Sequence, residues 1–332
     1  MDPNDGERPP ERPAKRSRIE KPPKIENLSQ LIAFTESGKL CRNIDSFALR
    51  NILPHLKKLN SLIGMESVKN SIFSQLIYYI QGMHKRDKTG EYLHMRIVGP
   101  PGTGKTTIAH LIANIYVELG ILKGNEEPVR LVHRDDFIAK YTGQTGVKTK
   151  ELLTSCLGGV MLYDEGYSMG SNSDDDSFAK QAIDAITSFL SEHKADFCFI
   201  IVGYEDDIDK YFFALNKGLA RRIPWYHKID KYTPENIASI AIKKIRDINW
   251  KSQIFAHVFL TGLIKENEDL FVNAGGDVEN FITQAKILHA NRVFTMDQDV
   301  KFTLTEEDFQ NAINVIRETR VKTEENYLHM YS

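Results

Sequence analysis

The sequence predicts an α/β protein: a parallel sheet covered by helices on both faces, with helices before it and a helical unit after it. Short apolar runs occur at Met95 to Val98, Val129 to Val132, Val160 to Tyr163 and Phe197 to Val202, separated by helix-length segments. That alternation is the signature of a parallel sheet whose strands are buried on both sides. On either side of this region, from Leu28 to Gln81 and after Ile223, the apolar period becomes helical. The first run is followed at once by a glycine-rich loop and then a helix pattern, Thr107 to Leu119.

At 332 residues the chain has room for two or three units of roughly 100 to 200 residues each. Lys and Arg number 43 and Asp and Glu 45, a formal charge of −2, which removes the argument for a whole-molecule nucleic-acid binder. Cys41, Cys156 and Cys198 are too few and too far apart for a disulfide framework or a paired-ligand zinc site, so a reducing compartment is expected. The longest apolar stretch, Phe197 to Val202, is far below the roughly 20 residues needed to span a bilayer, and the N-terminus is polar. The expectation is a soluble, intracellular protein without a secretory signal or membrane partner.

Residues 1–25 hold six of the twelve prolines and almost no large apolar side chain, the composition of a disordered tail. Within it Lys15, Arg16 and Arg18 beside Pro13 resemble a short nuclear-import signal, with a solubilising charged tail as the competing reading. Cytoplasm and nucleus therefore both stand as locations. From Leu28 to Gln81 the helical pattern is broken by Gly38, Pro54 and Gly64, which predicts two or three helices before the first strand. Beyond the sheet, Thr233 followed by Pro234 reads as a helix start, and Thr305 with Asp308 as a weaker capping box. The acidic run Asp174 to Asp176 sits among Ser and Asn and reads as loop. The divisions expected are a tail at 1–25, an N-terminal helical segment at 26–60, a nucleotide-binding α/β unit at 61–229 and a helical unit at 230–332.

Gly99-Pro100-Pro101-Gly102-Thr103-Gly104-Lys105-Thr106 fits the phosphate-loop pattern GxxxxGK[ST] in its required setting, after a strand and before a helix. Glycines there let successive backbone N–H groups turn inward around a β-phosphate, the helix N-terminus adds partial positive charge, and Lys105 reaches the β- and γ-phosphates of ATP. Thr106 is the candidate hydroxyl ligand of Mg²⁺, and Thr107 is counted with the loop among the ATP-binding residues. Val160-Met161-Leu162-Tyr163-Asp164-Glu165 is an apolar run closed by two carboxylates, at a distance that allows one intervening strand and helix. Asp164 would hold Mg²⁺ through water, and Glu165 would orient and deprotonate the attacking water.

Four further stretches resemble the CbbX and stage V sporulation protein K branch of the AAA+ ATPases: Ile63-Gly64-Met65 with Val68-Lys69; Tyr141-Thr142-Gly143-Gln144-Thr145 with Lys148-Thr149; Gly158-Gly159 and Gly166-Tyr167-Ser168 around the carboxylates; and Val202-Gly203-Tyr204 leading to Asn216-Lys217-Gly218-Leu219-Ala220-Arg221-Arg222-Ile223. The likeness covers roughly Leu56 to Arg292. It implies a P-loop core with a five-stranded parallel sheet, a small all-α lid domain, and subunits assembled into a homo-oligomeric ring of the six members shared by much of the family.

By the same resemblance Ile63 and Gly64 pack on the adenine, and Tyr141 faces a central pore and grips an extended polypeptide. Arg222 reaches the nucleotide of the neighbouring subunit, with Arg221 as the runner-up. The chain departs from the family at Lys217, where a proline is usual. It departs again at Gly275-Gly276-Asp277-Val278-Glu279-Asn280, which lacks the sensing arginine, and at Tyr204, where the first sensor is usually asparagine. Asp277 and Glu279 are expected to face away from the phosphates, and Arg292 is a substitute sensor candidate. The leading reading is an ATP-driven remodeller of an unidentified protein partner. The alternatives are a nucleic-acid motor, kept open by Lys140 and Lys148, and a nucleotide-gated scaffold with negligible hydrolysis.

Overall fold

The structure, a computed structural model, describes residues 24–330 except 40, 42, 87–89, 125–126, 142, 171–176 and 253–255, and of 321–330 only the helical course. Lys15, Arg16 and Arg18, the acidic run at 174–176, and Thr142 lie outside the described residues. Four helices precede the sheet where the pattern predicts two or three: α1 (Leu28–Glu36), α2 (Ser46–Asn51), α3 (Leu53–Asn60) and α4 (Glu66–Ile80). The difference lies at Pro54, which does not break a helix but occupies the first turn of α3, where its missing N–H costs nothing.

The central region follows as β1 (Met95–Val98), α5 (Lys105–Glu118), β2 (Val129–Val132), α6 (Arg134–Phe137), α7 (Thr145–Ser155), β3 (Val160–Tyr163), α8 (Ser177–Glu192), β4 (Cys198–Gly203), α9 (Glu205–Tyr211) and β5 (Trp225–Lys228). The five strands form one parallel sheet in the order β2-β3-β4-β1-β5. Strand β5 left no apolar run in the sequence because it is an edge strand, exposing Tyr226 and Lys228 and burying His227.

Side-chain alternation divides the core in two. Met95, Ile97, Val160, Leu162, Cys198, Ile200 and Val202 face α4 and α5, and the N-terminal helices join the same cluster through Leu31, Ile52, Leu56 and Leu59. Met161, Tyr163, Phe199 and Ile201 face the opposite way, onto α7 and α8.

A third core belongs to the C-terminal elements α10 (Pro234–Asp247), α11 (Ala256–Glu266), α12 (Gly275–Val293) and α13 (Glu306–Met330), with a short parallel ladder between β6 (Lys251–Ser252) and β7 (Thr303–Leu304). Two-residue strands are too short to imprint a period, so the sequence reads this unit as helical throughout. Thr233 caps α10 in a box with Asn236. At the start of α13, Asp308 accepts the backbone N–H of Thr305 at 2.8 Å and its hydroxyl at 2.9 Å. The same buried carboxylate binds Arg292 (2.8 and 2.9 Å) and His289 (2.9 Å). Burial alone would raise the Asp308 carboxyl, but the Arg292 guanidinium and the other donors outweigh it and hold it down to about 2. Arg292, the substitute sensor candidate, is thereby tied inside the lid. No described helix is long and apolar enough to cross a membrane.

Among the described residues three imidazoles are buried; besides His289, which pairs with Asp308, His94 is 0% and His227 1% exposed, and burial pushes these two down to about 3 and about 4. Both are neutral in the fold yet bind protons near pH 6.5 once unfolded, so the unfolded state gains protons first and stability falls as the solution is acidified from about pH 6.5. Urea unfolding at pH 7 and pH 5 should show a loss of about 2 kcal/mol per histidine. Equal stability at the two pH values would contradict the burial of both rings.

Candidate nucleotide-hydrolysis site

The strand order sets the site. Strands β3, β4 and β1 are adjacent and parallel, so the residues just past their C-terminal ends, Asp164 and Glu165, Tyr204, and the loop from Gly99, stand side by side. The loop rises from β1 with Gly102 at φ +67° and Gly104 at φ +81°, conformations that a side chain would strain. Thr103 Oγ1 donates to the Pro100 carbonyl at 2.8 Å and pins Pro101 and Gly102 in the arch between them. Lys105 opens α5, and its ammonium donates to the carbonyls of Gly99 (3.0 Å) and Pro100 (2.7 Å). It also lies 4.8 Å from the centre of the Tyr204 ring. Partial burial lowers the Lys105 pKa, opposed by the charge of Asp164.

Thr106 and Asp164, the two candidate Mg²⁺ ligands, are already in contact, Oγ1 donating to Oδ2 at 2.7 Å. A hydroxyl and a carboxylate oxygen so placed suit a small hard cation that keeps most of its waters. Asp164 also accepts the Glu165 backbone N–H at 2.9 Å. Glu165 adopts a left-handed conformation, φ +53° and ψ +45°, which turns the chain sharply out of β3. Directly after it, Gly166 presses on β4, where a Cβ would stand 2.4 Å from Ile201. Tyr167 then stacks on Tyr204 at 5.3 Å. Its hydroxyl, close to the Glu165 carboxylate, is pushed up to about 12, by burial first and by the charge of Glu165 next.

Beside the loop a cleft of about 300 Å³ is lined by Ile63, Met65, Thr107, Tyr232 and Ile240, with Lys243 and Lys244 at its rim. Gly64, at φ +67°, leaves room for the Tyr232 ring, 3.0 Å from where a Cβ would stand. Tyr232 OH donates to the Thr103 carbonyl at 2.9 Å, and Gly275 N–H donates to the Gly102 carbonyl at 3.1 Å. Both contacts end on backbone carbonyls of the phosphate loop, and the Tyr232 contact leaves no sign in the sequence. Asp277 accepts the Asn273 N–H at 2.6 Å, and Glu279 pairs with Lys244, so both acidic groups are engaged.

Two further candidates lie away from this cluster. Tyr141, 69% exposed, sits between α6 and α7 over a groove that also exposes Val147. Arg221 is exposed and Arg222 half-buried, in the turn that precedes β5. Among the described residues no group of three or more His, Cys, Asp or Glu is arranged to hold a metal by itself.

Residues 95–223 match the family described as ATPase family associated with various cellular activities (AAA). A CfxQ-like protein of Acanthamoeba polyphaga mimivirus is 36% identical over 276 residues, 82% of this chain and 67% of that one. The chloroplastic ribulose bisphosphate carboxylase/oxygenase activase of Cyanidioschyzon merolae is 31% identical over 239 residues, 70% of this chain and 80% of that one. Stage V sporulation protein K of Bacillus subtilis is 30% identical over 262 residues, 75% of this chain and 78% of that one. Among solved structures, the Thermotoga maritima RuvB Holliday junction branch migration motor superposes with a TM-score of 0.52 over 77% of this chain and 71% of its own, at 17% identity, a likeness of fold alone. With a P-loop, paired carboxylates and a helical lid in one arrangement, the chain belongs to the AAA+ ATPases, in the CbbX-like branch, and hydrolyses ATP.

Proposed function

We propose that the protein assembles into a ring, six-membered by family resemblance, hydrolyses ATP at its subunit interfaces and uses the energy to pull on a protein partner through Tyr141. Gly99 to Thr107 bind the phosphates, with Lys105 released from the Gly99 and Pro100 carbonyls to the β- and γ-oxygens. Ile63, Gly64 and Tyr232 receive the adenine. Thr106 and, through water, Asp164 would hold Mg²⁺, which would supply positive charge to offset that of the triphosphate. Glu165 accepts the proton of the attacking water. Lys105→Ala should lose most ATP affinity, measured by equilibrium binding of a fluorescent nucleotide, and unchanged binding would remove the phosphate-loop assignment.

Arg222 acts on the neighbour's nucleotide. Support comes from the sheet: Trp225 pairs with Met95, so the turn holding Arg222 leads into the N-terminal end of β5, while the phosphate loop leaves the C-terminal end of β1. A four-residue strand separates the ends by about 10 Å, beyond comfortable reach within one subunit. Glu165→Gln and Arg222→Ala should each bind ATP and hydrolyse it slowly, the latter by ~10³-fold or more. Mixing the two should restore turnover, because some interfaces then combine an intact Glu165 with an intact Arg222. No recovery, with subunit exchange shown by labelling, would contradict a shared site.

The observation that carries the remodelling reading is the exposure of Tyr141 above its groove. Lys148, which kept a nucleic-acid reading open, donates its protons to the carbonyls of Asp135 (2.7 Å) and Ile138 (2.8 Å), which leaves less of its charge for phosphates. An unfolded protein should stimulate the ATPase, and Tyr141→Ala should abolish the stimulation while leaving basal hydrolysis within about twofold. Stimulation by single-stranded DNA instead would favour the motor reading.

A further inference from the structure

Arg222 is held from behind. Its Nε–H donates to Ser191 Oγ and its Nη1 to the Gly218 carbonyl at 2.6 Å. The Ser191 hydroxyl gives its own proton to the Thr187 carbonyl, one helical turn back, at 2.8 Å. That leaves a lone pair on Oγ for the arginine. Gly218 is fixed in turn, because its N–H donates to Asn216 Oδ1 at 2.9 Å, and Asn216 Nδ2 donates to Asp184 Oδ1 at 2.9 Å. Asp184, Thr187 and Ser191 follow one another at spacings of three and four, so all three anchors stand on one stripe of α8. The space is fully used: a Cβ on Gly218 would lie 2.8 Å from Arg222 Nη1 and 3.1 Å from Asn216 Oδ1.

A free surface arginine scatters over many rotamers, and ordering it costs up to about 2 kcal/mol of side-chain entropy. Two fixed acceptors on the near side of the guanidinium meet that cost before any nucleotide arrives, and among the described residues Nη2 is left without a hydrogen bond. We propose that Ser191 is a positioning residue for Arg222, holding its guanidinium, together with the Gly218 carbonyl, in the orientation that presents Nη2 to the nucleotide of the neighbouring subunit. The inference rests on reading Arg222 as the group that acts across the interface. It also explains how Lys217 can stand where a proline is usual: the turn is stiffened by the Asn216–Asp184 and Asn216–Gly218 bonds instead.

The test is steady-state ATPase kinetics on the full chain. Ser191→Ala should keep its nucleotide affinity and lose about tenfold in kcat, the worth of one charge-assisted hydrogen bond. Ser191→Thr, which keeps the hydroxyl, should retain most of the rate. Mixed with Glu165→Gln, Ser191→Ala should recover, because the partner then supplies an intact Ser191 and Arg222 to a site with an intact Glu165; damage confined to its own site would not be rescued. In an Arg222→Ala background, Ser191→Ala should cost nothing further. Gly218→Ala, which displaces the arginine from the other side, gives the same readouts should Ser191→Ala fail to fold. A wild-type kcat for Ser191→Ala, a loss not recovered on mixing, or a further fall in the Arg222→Ala background would each overturn the proposal. A wild-type rate for Arg222→Ala would instead remove the interface reading itself, and this inference with it.

Discussion

The adjacency of β3, β4 and β1 is the constraint on which the rest depends. Parallel pairing carries the ends of all three strands to one edge, and the hydrogen bond between Thr106 and Asp164 closes the distance between two loops that are 58 residues apart in the chain. The middle strand contributes Tyr204, wedged between them, with the Lys105 ammonium on its ring and Tyr167 stacked beside it. A cation held by two carbonyls and an aromatic face is not committed to one geometry, since phosphate oxygens outcompete all three. The aromatic pair therefore lies between Lys105, proposed to bind phosphate, and the segment of Glu165, proposed to handle the water.

The lid is joined to this edge through Tyr232 and Gly275. Where relatives place an arginine, α12 begins Gly275-Gly276-Asp277, and Gly275 N–H meets the Gly102 carbonyl. That approach is possible only because both residues lack a Cβ: one on Gly102 would stand 1.8 Å from the Asn273 carbonyl oxygen, and one on Gly275 2.7 Å from the Gly102 oxygen. Asp277, poorly suited to face phosphates, is used locally to fix Asn273. Contact between lid and loop is thus made on the loop's backbone carbonyls, by Gly275 N–H and the Tyr232 hydroxyl, which respond to the path of the phosphate loop and not to the charge of its contents.

The fold was legible because buried parallel strands are short apolar runs, and the phosphate loop because its chemistry demands glycines, Lys105 and Thr106 at fixed spacing. Strand β5 escaped because an edge strand needs only one buried side chain, here His227, and Pro54 misled because a proline that opens a helix and one that ends it look alike in sequence. Tyr232 and Ser191 escaped for a different reason. Each acts through a main-chain partner or a residue distant in sequence, and neither kind of partner leaves a trace in the spacing of side chains.

The positions of Glu165 and Arg222 make a geometric case for sharing. Glu165 leaves the C-terminal end of β3; Arg222 stands before the N-terminal end of β5, two strands beyond β4 in the sheet order. One subunit therefore holds the proposed base and the proposed interface arginine at opposite ends of the strands, and neither can be moved to the other without unpairing strands. In the proposed ring, a neighbouring subunit would bring the two together without disturbing either core. Helix α8 then gains a second role beyond covering the sheet. It packs along α7, which follows the Tyr141 loop, and it carries Asp184, Thr187 and Ser191 behind Arg222. The loop proposed to grip a partner and the arginine proposed to serve the next site are thus joined by one packed helix pair.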